Sequence, residues 1–156
     1  MKKTMVIAII VTFLISIVAV NFFGLSIKDF EGYKYVERIE YELTLKRETD
    51  ATISEMQAPQ GDTRPWYKFN FQAGEYTMEN LTENPNAVFI QCHVYPNDAK
   101  NKRVNLRYDQ NTAEGLCVVD QATMTIYFLK SGAITITLEP ADKGSAPKKE
   151  IFIYAK

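Results

Sequence analysis

Chemistry-bearing side chains are scarce in this chain. It has one histidine, His93, and two cysteines, Cys92 and Cys117, in 156 residues. No metal-ligand spacing joins the cysteines to His93. The sequence also lacks a phosphate-binding loop, a nucleophile elbow and a calcium loop. With no assembled acid–base group, the expectation is a protein that is not an enzyme and takes no metal and no cofactor. Concentrated positive charge is missing too. Lys2 and Lys3 are two of the 18 basic residues, and the remainder beyond Leu25 carries all 19 acidic residues for a net of −3. A nucleic-acid partner needs a basic face, so none is expected. Helical periodicity is absent after the N-terminal stretch, which sets aside helix-bundle architectures.

The clearest positive feature is Met5 to Leu25, MVIAIIVTFLISIVAVNFFGL, which contains no charge. Its length is close to the ~20 apolar residues that span a bilayer and exceeds the ~7–15 of a signal-peptide core. No Ala-x-Ala precedes a cut, and no cysteine follows for lipid attachment. The favoured reading of residues 1–25 is a single transmembrane anchor, with a cleaved secretion signal as the alternative. Lys2 and Lys3 place the N-terminus in the cytoplasm and the rest outside. Residues 26–32, SIKDFEG, form a connector whose seven residues reach at most ~25 Å, so the following domain, 33–156, sits close to the lipid.

From residue 33 the hydrophobic period is two. Ile39, Tyr41, Leu43 and Leu45 alternate with Glu40, Glu42, Thr44 and Lys46, the pattern of a strand with one buried face. The pattern lapses over 46–65, where Pro59 and Gly61 mark a turn in a long inserted loop, with a brief strand or helical turn around Ile53 to Met56 allowed. Alternation returns at Tyr67, Phe69 and Phe71, and again at Tyr76 and Met78. Further rows follow at Val88–Ile90–Cys92–Val94, Val104–Leu106–Tyr108, Met124–Ile126–Phe128 and Ile134–Ile136–Leu138, with a last strand over 150–155. Short strands separated by turn signals predict an all-β sandwich, with a barrel as the second architecture. Asn80-Leu81-Thr82 fits a glycosylation sequon but reads as turn or strand-edge polarity.

Two segments resemble a known family. Val94-Tyr95-Pro96-Asn97-Asp98-Ala99-Lys100-Asn101-Lys102-Arg103-Val104 is similar to the loop and Val-led strand of the bacterial immunoglobulin-like domain, group 2. Val118-Val119-Asp120, followed by Leu129-Lys130-Ser131-Gly132-Ala133-Ile134-Thr135-Ile136-Thr137, resembles that family's Val-Asp strand end and its Lys-x-Gly strand entry. The likeness covers roughly residues 74–156. The chain departs from the pattern at Leu106, where an aromatic is common, and at Gln121-Ala122-Thr123, which lacks the usual glycine. The resemblance implies an Ig-like β-sandwich of Greek-key connectivity, used on cell surfaces for presentation, spacing and adhesion.

Residue chemistry adds two candidates. An exported domain permits a disulfide between Cys92 and Cys117; the alternative is two buried thiols packed as small hydrophobes. Trp66, the only tryptophan, stands with Arg64 and Tyr67 at the end of the long loop. The ordinary role of such a residue is a core or rim aromatic. A sharper role is an interaction surface, since Trp, Tyr and Arg dominate binding patches. The functional expectation is a non-enzymatic, membrane-anchored extracytoplasmic module that joins or supports a bacterial envelope assembly, with an envelope protein or a second copy as partner. The alternative is a glycan- or cell-wall-binding adhesion module, anchored or secreted.

Overall fold

A computed structural model describes residues 32–46, 53–142 and 146–156. The Met5–Leu25 stretch and most of the connector lie outside the described residues, as does the 47–52 part of the inserted loop. Among the described residues no helix is long and apolar enough to cross a membrane. The chain divides into two units after Lys34, and the strands belong to the second, Tyr35–Lys156.

Nine strands and one short α-helix are described, besides a 3-10 turn: β1 (Arg38–Leu45), β2 (Ser54–Met56), β3 (Trp66–Phe69), β4 (Ala87–Tyr95), β5 (Val104–Tyr108), α1 (Gln110–Ala113), β6 (Cys117–Asp120), β7 (Thr125–Phe128), β8 (Gly132–Pro140) and β9 (Lys149–Ala155). They form two sheets. One has the order β1-β4-β7-β6, the other β2-β3-β9-β8-β5. Every pair is antiparallel except β3–β9, which is parallel from Trp66↔Phe152 to Phe69↔Ala155. That ladder is extended by Phe71 N–H to Lys156 O at 2.7 Å and Lys156 N–H to Phe69 O at 3.0 Å.

The two sheets share one apolar core, as the period-two rows require. Val88, Ile90, Ile126 and Phe128 from the first meet Phe69, Leu106, Ile134, Ile136, Leu138, Ile151 and Ile153 from the second. Phe69 and Phe128 close the interior edge to face, with centroids 5.3 Å apart and planes at 72°. Each fully buried side chain of this kind stabilises the fold by about 1.5–3 kcal/mol relative to exposure. A smaller cluster of Val36, Ile39, Val94, Ala99 and Ala146 fills one end.

Local rules set the boundaries. Asp109 caps α1 by accepting from Asn111 N–H at 3.0 Å. Pro96 follows β4 and has no N–H for a ladder. Gly132 opens β8 at φ +155°, where an added Cβ would lie 2.5 Å from Leu116 Cδ1. One sequence expectation fails here. The Tyr76–Met78 alternation is not a strand: the segment is a turn followed by a 3-10 helix at Leu81–Glu83, and Met78 is exposed. Its polar groups are satisfied locally, with Thr77 N–H donating to Asn80 Oδ1 at 2.7 Å and Asn80 Nδ2 to Glu75 O at 3.0 Å.

Candidate interaction surface

The outward face of the five-stranded sheet carries a row that crosses four strands. Strand register places Met56, Trp66, Phe152 and Thr135 side by side. Trp66 and Phe152 stand as a stacked pair, centroids 3.7 Å apart and planes inclined by 27°. The inserted loop folds back over them through Asp62. Its carboxylate accepts from Arg64 Nη2 at 2.6 Å, Arg64 Nε at 3.0 Å, Arg64 N–H at 2.9 Å and Trp66 Nε1 at 3.0 Å. Arg64 Nη1 reaches across to Thr135 Oγ1 at 3.2 Å. The Arg64 guanidinium therefore holds the Asp62 carboxyl well below the usual carboxylate range, with the Trp66 indole N–H helping.

The consequence is a pre-set arrangement. The Arg64 side chain is 34% exposed and that of Asp62 18%. Arginine and tryptophan are thus held in fixed positions at a surface and remain open to contact, which lowers the ordering cost of an encounter. Further along the same sheet, Glu139 is held by Arg107 Nε and by Lys148 Nζ at 3.0 Å. The Arg107 contact, more than that to Lys148, pulls the Glu139 carboxyl below its ordinary value.

Arg64 and Trp66 are brought together as the sequence suggests; Tyr67 is not. Residues next to each other in a strand face opposite ways. Tyr67 points between the sheets, edge to face with Tyr41 at 6.3 Å, with its hydroxyl 3.3 Å from that of Tyr41 and 3.5 Å from Glu55 Oε1. Burial, assisted by Tyr67, raises the Tyr41 phenol above its ordinary value. Asp62, Phe152 and Thr135 are the members that sequence reasoning did not supply. The i, i+2, i+4 spacing of Asp62, Arg64 and Trp66 is a signal for the first. Nothing local points to the other two.

The disulfide between Cys92 and Cys117 is not made: both are free thiols. They face the same core, but from different levels of the sheet. Cys117 pairs with Phe128, whose N–H bonds to Asn86 O. Cys92 lies six residues further along β4, ~20 Å at strand rise, with β7 between the two strands. A bridge needs Cα atoms within ~7 Å. Desolvation pushes both thiols up to about 11. His93 is exposed and stands opposite Glu40 across the β1–β4 pair. Among the described residues no group of three or more His, Cys, Asp or Glu side chains is placed to hold a metal ion.

No family model matches the chain, no curated protein matches it, and no solved structure matches it.

Proposed function

We propose that this chain is a non-enzymatic Ig-like module, tethered by its N-terminal segment to a bacterial membrane and displayed outside it, where it binds an envelope protein partner. The Ig-like reading is supported by strand order. Constant-type Ig domains place strands A, B, E and D in one sheet and C, F and G in the other. Here β1-β4-β7-β6 follows the first order and β5-β8-β9 the second. The β2–β3 hairpin joins the edge beside β9, as an addition between the first two strands of that scheme. Membrane tethering is supported by the charge-free length of Met5–Leu25 and by the two lysines before it.

The observation that carries the interaction role is the Asp62-clamped Arg64 and Trp66 on the outer sheet face. A rigid aromatic and an arginine fixed at a surface are the residue types that concentrate binding energy. The Trp66 ring has one face against Phe152, which suits edge contacts with a protein better than stacking on a sugar ring. The test is crosslinking of the full chain in its native cells, with Arg64→Lys and Trp66→Ala compared against Met78→Ala. A partner adduct that falls at least about tenfold in the first two, and persists in the third, is expected for anchors of this kind. An adduct indifferent to all three removes this surface from the role. Retention of Arg64-dependent binding to cell-wall polymer alone favours the glycan alternative. Recovery of the intact chain in the membrane fraction tests the tether.

A further inference from the structure

β4 is nine residues long and pairs with β1 from Val88 to Tyr95. On its other side β7 pairs only with Ala87, Val88 and Phe89. Ile90 N–H to Met124 O, at 2.9 Å, is the last bond on that side. Peptide groups along an antiparallel strand point alternately to its two neighbours. Lys46 N–H to Ala87 O assigns the odd-numbered residues to β1, and Phe128 N–H to Asn86 O assigns the even-numbered ones to β7. Cys92 and Val94 therefore turn their N–H and C=O groups to a side where the sheet has stopped, and neither is hydrogen-bonded there among the described residues.

The sheet stops because the chain turns. Asp120 Oδ1 accepts from Ala122 N–H at 2.9 Å and its Oδ2 from Thr123 Oγ1 at 2.7 Å, and Met124 takes φ +52°. Beyond this turn lies a cleft of about 510 Å³ lined by Ile90, Cys92, Val104, Met124, Thr123 and Lys102, among others. Its far wall is β5, and that wall is closed. Gln121 Oε1 accepts from Leu106 N–H at 2.8 Å and its Nε2 donates to Val104 O at 3.2 Å, so a side-chain amide stands in for the missing strand. Only the β4 wall is left open. Lys102 is the one charged residue lining the cleft and makes no ion pair among the described residues. The neighbouring Asp120 is committed to its own turn.

We propose that this cleft is a strand-addition site. The occupant is an extended segment of a partner protein, apolar at alternate residues and carrying a carboxylate at the Lys102 end. It continues the line of β7 and pairs with Cys92 and Val94. Free N–H and C=O groups at every second residue, ~6.7 Å apart, are matched by an extended backbone and by little else. The apolar lining receives every other side chain, and the unpaired ammonium of Lys102 sets the charge.

The probe is the peptide acetyl-Thr-Val-Thr-Val-Thr-Glu-amide, titrated into the full chain while amide hydrogen exchange is followed residue by residue. The Cys92 and Val94 amides slow by about tenfold or more on binding. The same peptide with Lys for Glu binds about threefold more weakly. Ala122→Trp, at an exposed cleft position, blocks binding without shifting the melting temperature. Trp66→Ala leaves binding unchanged, which separates this site from the Trp66 surface. Three results overturn the proposal: no protection of Cys92 and Val94 at millimolar peptide, protection instead along Ile39–Leu45 at the β1 edge, or equal binding by a peptide N-methylated on its pairing amides.

Discussion

Single residues settle how the irregular segments attach to the sandwich. Asn86 is fully buried and its amide acts as a one-residue strand, accepting from Gln72 N–H at 2.8 Å and donating to Gln72 O at 3.0 Å. Asn84, 1% exposed, donates to Phe128 O at 2.9 Å and accepts from Asn86 N–H at 2.8 Å. Asn86→Ala leaves the Gln72 N–H without its partner and leaves Gln72 O only the Tyr76 hydroxyl at 3.0 Å, and is expected to cost about 1–3 kcal/mol in urea unfolding. Asn86→Asp also destabilises, because a carboxylate cannot donate to Gln72 O. The Asn-Pro-Asn cluster is legible in the sequence as a turn, but its burial is not, since the bonded groups belong to distant strands. The turn at Gly132 is legible in the sequence, but the approach of Leu116 to it is not. The glycine's φ of +155° and the nearby Leu116 side chain lead to an expected loss of about 1–3 kcal/mol in Gly132→Ala, read from the thermal midpoint. The glycine that the family resemblance leads one to expect after Val119-Asp120 is absent, and Met124 adopts the left-handed backbone there.

At the scale of elements, the period-two rows at β1, β4, β5 and β8 locate strands and their buried faces correctly, and the last strand falls where the sequence places it. They fail at Tyr76–Met78, where two apolar residues alternate without a neighbouring strand to complete the ladder. Sheet edges are a second element-scale property. Exposed edges invite pairing with other chains unless blocked, and Gln121 blocks that of β5. Gln121→Ala is expected to cost about 1–3 kcal/mol and to make scattered light rise with protein concentration at a lower threshold than in the parent chain. A variant that loses stability without any gain in association assigns Gln121 a purely internal role.

Across the whole molecule the two thiols report on the shared core. Burial raises both from 9.0 to about 11. The unfolded chain ionises them near the ordinary value and the folded chain does not. Their contribution to stability is therefore complete below about pH 9 and is lost as the pH rises from about 9 to about 11. The urea midpoint is expected to fall across that window, and less steeply in Cys92→Ala/Cys117→Ala. Alkylation of the native chain at neutral pH should be slow at Cys117, which is 7% exposed, and mass analysis without reductant should count two free thiols.

The sequence by itself determined the β class, most strand positions, the turns at Pro96 and Gly132, and the separation of a charge-free N-terminal stretch from a charged remainder. These follow from local causes: side-chain alternation, a missing N–H, a missing Cβ, and the hydropathy of a continuous run. Tertiary structure alone decided the pairings between distant segments. It set Trp66 against Phe152, turned Tyr67 to the opposite face, held Cys92 and Cys117 at different levels of one sheet, and ended β7 short of β4. Each depends on which strands are neighbours and in what register. Strand register is fixed by the packing of both sheets together, not by any one segment.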